Sequence, residues 1–134
     1  MMIDNNKNEA QRWLEQAKHD LNAARDSIKS GHLEWTCFQS QQAAEKALKA
    51  FLFLKRQNHI IVHSINGLLR LCEQVGLDTT QIQNAQILDT YYIPARYPNG
   101  VPYGAIPHTV FSEIQAKQAI ELAGSVIDAV SNYI

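Results

Sequence analysis

Ala10, Trp13, Leu14, Ala17, Leu21, Ala24 and Ile28 recur at three- and four-residue steps. That spacing predicts a helix with one apolar stripe, ending at Gly31. The next stretch, Leu33 to about Gln57, behaves differently. At about 100° per residue, Leu33, Leu48 and Phe51 point one way while Trp35 and Phe53 point almost the opposite way. A helix that is apolar on most sides is buried on most sides. Ser64 can cap a third helix carrying Leu68, Leu69, Leu71 and Cys72, with a stop at Gly76. Thr79 or Thr80 offers the cap of a fourth, which Pro94 must close. Thr109 or Ser112 starts a last helix whose stripe is Ala116, Ala119, Ile120, Ala123, Val126, Ile127, Val130 and Ile134. No segment alternates with period two, so a sheet has no material to form from. The expectation is an all-α fold: an antiparallel up-and-down bundle of about five helices, two long, two short and one long, in a single domain over residues 1–134.

Between the fourth and last helices lies YYIPARYPNGVPYGAIPH, residues 91–108, which holds all four prolines of the chain, Pro94, Pro98, Pro102 and Pro107. Proline breaks helices, so this connector is not helical throughout. Connections longer than about a dozen residues are often functional.

Composition narrows the classes. Apolar content of 46% and charged content of 19% describe a globular chain. The longest apolar run, Phe51 to Leu54, falls far short of the ~20 residues a bilayer requires, and the polar start lacks the apolar stretch of a signal peptide. A cytoplasmic protein with no membrane span is expected. Cys37 and Cys72 lie in separate helical patterns and read as small buried hydrophobes, forming neither a disulfide framework nor a metal knuckle. A net charge of −1 excludes coating of nucleic acid by charge alone and leaves room for a local basic site.

The chemistry concentrates in the second helix. Gln41 and Glu45 fall between the directions of Leu48, Leu52 and Phe38, so two polar side chains point into an apolar sector. An unpaired buried carboxylate costs several kcal/mol, so Glu45 needs a cation or water. Lys49 at i+4, Lys46, Arg96 in the connector and His63 are the candidates. Two readings stand: an ordinary surface pair of Glu45 with Lys49, or a polar pocket among the second helix, the third helix and the connector. Four cations, Lys46, Lys49, Lys55 and Arg56, lie between Glu45 and His63, whereas the last helix carries Glu113, Glu121 and Asp128 against Lys117. One side of the molecule can therefore be positive and suit phosphate. Tyr92, Tyr97 and Tyr103 offer faces for stacking a base, or fill the space beneath the connector. His59 and His63 form at best a weak metal pair with no carboxylate nearby in sequence; no metal site and no cofactor are expected. His19 and His32 read as solvent-facing or helix-end residues.

The segment QSQQAAEKALKAFL, the pair His63 and Ser64, and LDTYYIPARYPNG together resemble the HEPN domain, the "higher eukaryotes and prokaryotes nucleotide-binding" domain, and WLEQAKHDLNAAR resembles its first helix. The resemblance implies a small helical bundle, usually a homodimer, often paired with a minimal nucleotidyltransferase in a toxin–antitoxin-like arrangement. Many HEPN proteins are metal-independent ribonucleases with an arginine followed by a histidine four to six residues later. Arg96 matches the arginine, but Tyr97 follows it and the next histidine is His108, with three prolines and two glycines between. The sequence thus resembles a branch with RYP in place of the nuclease motif. The expected function is a nucleotide- or polynucleotide-binding module with a site at Glu45, Lys46, Lys49, His63, Arg96 and Tyr97. In that site Lys49 and Arg96 meet phosphate, Glu45 orients Arg96, and Tyr97 stacks on or shields the ligand; no catalytic residue is assigned. The alternatives are a metal-independent ribonuclease toxin using His63 or His108, and a ligand-free dimerisation module, for which the apolar faces of Trp35, Phe53 and Leu54 are motive enough.

Overall fold

A computed structural model describes residues 5–134; the first four residues of the polar start lie outside the described residues. It is helical, with no strand among them: α1 (Asn5–Lys29), α2 (Leu33–Leu54), α3 (Ile65–Gln74), a 3-10 segment (Gln83–Tyr91), a short 3-10 turn (Pro98–Gly100), α4 (Pro107–Val110) and α5 (Glu113–Ser131). The expected all-α bundle of two long, two short and one long helices is present, with one element of a different kind.

In α1 the buried positions are Ala10, Leu14, Ala17, Leu21 and Ala24. Their alternating steps of four and three keep a single seam facing the neighbouring helix. The small residues let the backbones approach closely, and α2 answers with Ala43, Ala44, Ala47 and Ala50, all fully buried. The turn between the two helices needs a residue at φ 79°, which Gly31 supplies without strain. α2 is the central helix, packed against α1, α3, α5 and the 3-10 segment. Leu48, Phe51 and Leu52 are at most 1% exposed. The apolar pattern over most of its circumference is thus explained by neighbours on most sides. α5 begins with a reciprocal cap: Ser112 Oγ accepts from the Gln115 backbone N–H at 3.1 Å, and the Gln115 side chain accepts from the Ser112 N–H at 2.9 Å.

Both cysteines are fully buried, as their helical placement suggested. Burial, reinforced by the nearby carboxylates of Glu34 and Glu73 respectively, pushes each thiol up to about 12. Neither is available as a nucleophile near neutral pH.

The fourth helix departs from expectation: residues 83–91 are 3-10 rather than α, and neither Thr79 nor Thr80 caps them, since Ile82 stands at the cap position. Thr79 instead donates its hydroxyl to the Glu73 carboxylate, and the Gln83 amide donates to the same oxygen at 2.7 Å. Those two donors hold the Glu73 carboxyl below its usual range. The reason for the tighter winding is legible in the chain: Ile82, Ala85, Leu88 and Tyr91, all buried, recur every third residue. A three-residue period makes one straight face in a helix of three residues per turn and a drifting one in an α-helix.

Asp89, inside this segment, fixes it to α3. Its two carboxylate oxygens accept from the backbone N–H groups of Ile65 at 2.7 Å and Asn66 at 3.0 Å, while Ser64 Oγ accepts from Gly67 at 3.1 Å. Three of the four orphan donors at the start of α3 are thereby satisfied. Asp89→Ala is expected to lower stability by about 1–2 kcal/mol, and Asp89→Asn by less because it keeps one acceptor. Urea unfolding of the three proteins checks this; equal midpoints would contradict it.

Candidate functional site

One strip of α2 escapes burial. Trp35, Phe38, Gln42, Lys46 and Phe53 succeed one another along it, and it runs between α1 on one side and the connector on the other. On the α1 side, Lys46 Nζ meets the Asp20 carboxylate at 2.5 Å and Phe53 packs on Trp13 with ring centroids 5.3 Å apart. On the connector side Phe38 lies 6.2 Å from Tyr92.

Glu45 and Lys49 border this strip and are buried, 7% and 5% exposed. Lys49 Nζ donates to Glu45 Oε2 at 2.8 Å, and His63 Nδ1 lies 3.0 Å from Lys49 Nζ and 3.6 Å from Glu45 Oε2. Glu45 Oε1 accepts from Gln41 Nε2 at 3.3 Å, and Gln41 Oε1 accepts from Gln42 Nε2 at 2.8 Å. The partner is the one expected of a surface i, i+4 pair, but its setting is a buried network joining α2 to the segment before α3. Trp13 adds to the shield, its ring 5.8 Å from Lys49 Nζ. The ammonium can donate to neutral His63 only through an unprotonated Nδ1; protonated His63 instead competes with Lys49 for Glu45. His63 is the solvent-facing member, its side chain 64% exposed.

Arg96 is placed otherwise than expected. Glu45 does not orient it. Its Nε donates to the Tyr92 carbonyl at 2.9 Å, and the guanidinium carbon lies 4.6 Å from the centroid of Phe38, 4.4 Å from that of Tyr92 and 4.9 Å from that of Tyr97. Aromatic faces replace the carboxylate, because a planar, weakly hydrated guanidinium stacks where an ammonium would not. The connector holds this geometry through successive turns, with Arg96 and Tyr97 N–H both donating to the Ile93 carbonyl and Gly100 N–H to the Tyr97 carbonyl. Gly100 is required there: a Cβ would come within 2.8 Å of the Ile93 side chain and 3.0 Å of the Pro94 backbone.

Of the six residues marked by the sequence, Glu45, Lys49 and His63 form one hydrogen-bonded network, Arg96 and Tyr97 one aromatic cluster at the other end of the strip, and Lys46 pairs separately with α1. The connector also folds back so that Arg96 and His108 line one groove of about 470 Å³ with His32, Glu34 and Trp35. Distance in sequence separates that arginine and histidine; the fold brings them to one place. The apolar pattern leaves Glu34 unmarked, although it too falls in the sector of Gln41 and Leu52, and it presents Phe38 only as apolar filling.

The bundle defines a known class. The HEPN domain family model matches residues 10–133, and the chain belongs to that family. TT1696 from Thermus thermophilus, known from a crystal structure, superposes with a TM-score of 0.86 at 37% identity, covering 95% of this chain and 99% of that one. ST0689, described as an archaeal HEPN homologue, gives 0.77 at 32% identity over 93% and 97%. "Putative toxin MJ1304" of Methanocaldococcus jannaschii is 27% identical over 93% of this chain and 88% of its own. Human sacsin is 26% identical over 94% of this chain, which spans only 3% of sacsin's length. No helix among the described residues is long and apolar enough to cross a membrane.

Proposed function

We propose that the chain is a cytoplasmic nucleotide- or polynucleotide-binding module, homodimeric, that works with a minimal nucleotidyltransferase in a toxin–antitoxin-like pair. The observation that carries the binding reading is the strip from the Arg96 guanidinium past Phe38, Gln42 and Lys46 to the exposed His63, whose ring lies over the buried Gln41–Glu45–Lys49 network. From Phe38 to Lys49 it follows about 16 Å of helix axis. That length suits a run of single-stranded phosphates more than one nucleotide, with rings at one end for a base. The toxin description of the M. jannaschii relative supports the pairing. Ile93, Val110 and Ile114, each more than 40% exposed and outside the strip, support a second copy of the chain as cover. Binding of labelled single-stranded RNA, followed by fluorescence anisotropy, tests the reading: His63→Ala, at an exposed position, is expected to weaken it several-fold with the fold intact. Unchanged affinity would remove His63 from the site.

A second reading is favoured by the shared groove of Arg96 and His108: a metal-independent ribonuclease in which His108 exchanges protons and Arg96 steadies phosphate charge. RNA cleavage that persists with chelator and vanishes in His108→Ala would establish it over simple binding.

A further inference from the structure

Glu34 lies in the first turn of α2, is only 6% exposed, and its Oε2 has no hydrogen-bond partner among the described residues. A buried carboxylate oxygen left unpaired is costly, and such an atom in a native fold is a place where a donor can be gained. Glu34 also lines the groove shared by Arg96 and His108, whose walls include Trp35, 46% exposed, and Ile106, 54% exposed. Arg96, which lines the same groove, forms no ion pair with Glu34 among the described residues: its Nε donates to the Tyr92 carbonyl and its guanidinium lies on three aromatic faces, which leaves its two terminal nitrogens for a phosphate.

The walls of the groove set the chemistry of a fitting ligand. An ionised carboxylate only accepts, so the ligand must donate. A phosphate group placed against Glu34 would meet like charge. Among the described residues no three His, Cys, Asp or Glu side chains come together in an arrangement that could hold a metal ion. A group with N–H donors for the carboxylate and a flat face for the exposed indole of Trp35 suits both walls of the groove. A nucleobase has both. Guanine alone among the common bases presents two adjacent donors, N1–H and the 2-amino group, which match the two oxygens of one carboxylate as a guanidinium fork does.

We propose that this groove is a base-reading pocket in which Glu34 accepts from the Watson–Crick edge of guanine and Trp35 stacks on its face, giving the polynucleotide-binding strip a preference for guanine. The assignment rests on the nucleotide-binding reading and adds sequence preference to it. Arg96, between strip and groove, then holds the phosphate next to the base that Glu34 reads.

Calorimetric titration with GMP, IMP and AMP tests it, alongside anisotropy with labelled oligo-A. IMP lacks only the 2-amino donor. The wild type is expected to bind GMP about ten-fold more tightly than IMP, the ratio one lost hydrogen bond gives, and to bind AMP more weakly still, because adenine turns an acceptor N1 toward Glu34. Glu34→Gln should erase that preference while oligo-A binding stays as it was, and Trp35→Ala should weaken GMP with the fold unchanged. Equal affinity of the wild type for the three nucleotides, or a guanine preference that survives Glu34→Gln, overturns the pocket while oligo-A binding keeps the strip. Failure of oligo-A and every nucleotide to bind would overturn both.

Discussion

Lys49→Ala is expected to destabilise the protein by about 3–5 kcal/mol, the largest single effect on the open face of α2. The reason is what the substitution leaves behind. Glu45, 7% exposed, would keep only the Gln41 amide and His63, at 3.6 Å, as partners for a desolvated charge. Removing one member of a buried pair costs far more than the pair contributes, because the survivor bears its full desolvation penalty. Replacing both, Glu45→Leu with Lys49→Leu, should therefore recover most of the loss. Urea unfolding of the wild type, the single variant and the double variant measures each. A Lys49→Ala loss under about 0.5 kcal/mol would mean that water reaches the pair and that it behaves like an ordinary surface bridge.

Arg96→Ala comes next, at about 1–3 kcal/mol together with loosening of the connector. The guanidinium is the hub on which Phe38, Tyr92 and Tyr97 converge, and its Nε ties it back to the Tyr92 carbonyl. Each stacked ring is worth about 0.5–2 kcal/mol depending on how dry it is. Arg96→Lys keeps the charge and loses the plane and the fork, so it should recover little of the stability. Limited proteolysis supplies the local readout, with cleavage between residues 97 and 106 expected to quicken in both variants. Resistance equal to wild type in Arg96→Lys would show that charge alone holds the connector.

Most of the bundle could be read from the chain because three- and four-residue apolar spacing is an intrinsic helix signal, and because Gly31, Ser64, Gly76 and Ser112 mark ends by local chemistry. The 3-10 segment was hidden by the assumption of an α period; the spacing of Ile82, Ala85, Leu88 and Tyr91 carries the information once three is tried instead of 3.6. The buried acid was legible from its direction on the helix, and its need for a cation followed from desolvation alone. Direction alone did not choose among the four candidate cations. Lys49 is local and follows from i, i+4 spacing, but Arg96 reaches its aromatic site only through turns whose course depends on tertiary packing. The same holds for Asp89 at the start of α3 and for Glu34 and His108 in one groove. Phe38 and Arg96, Ile65 and Asp89, and Glu34 and His108 are all pairs more than ten residues apart in sequence, invisible to periodicity.

The strip between Arg96 and His63 as a seat for single-stranded phosphates is the claim on which the functional account turns, and salt dependence tests it most directly. Each phosphate neutralised on a single strand contributes about −0.7 to the slope of log affinity against log salt. Anisotropy of a labelled oligonucleotide across a salt series should give a clear negative slope for the wild type and one shallower by about 0.7 for Arg96→Ala. No binding at low salt, or slopes that coincide, would contradict it.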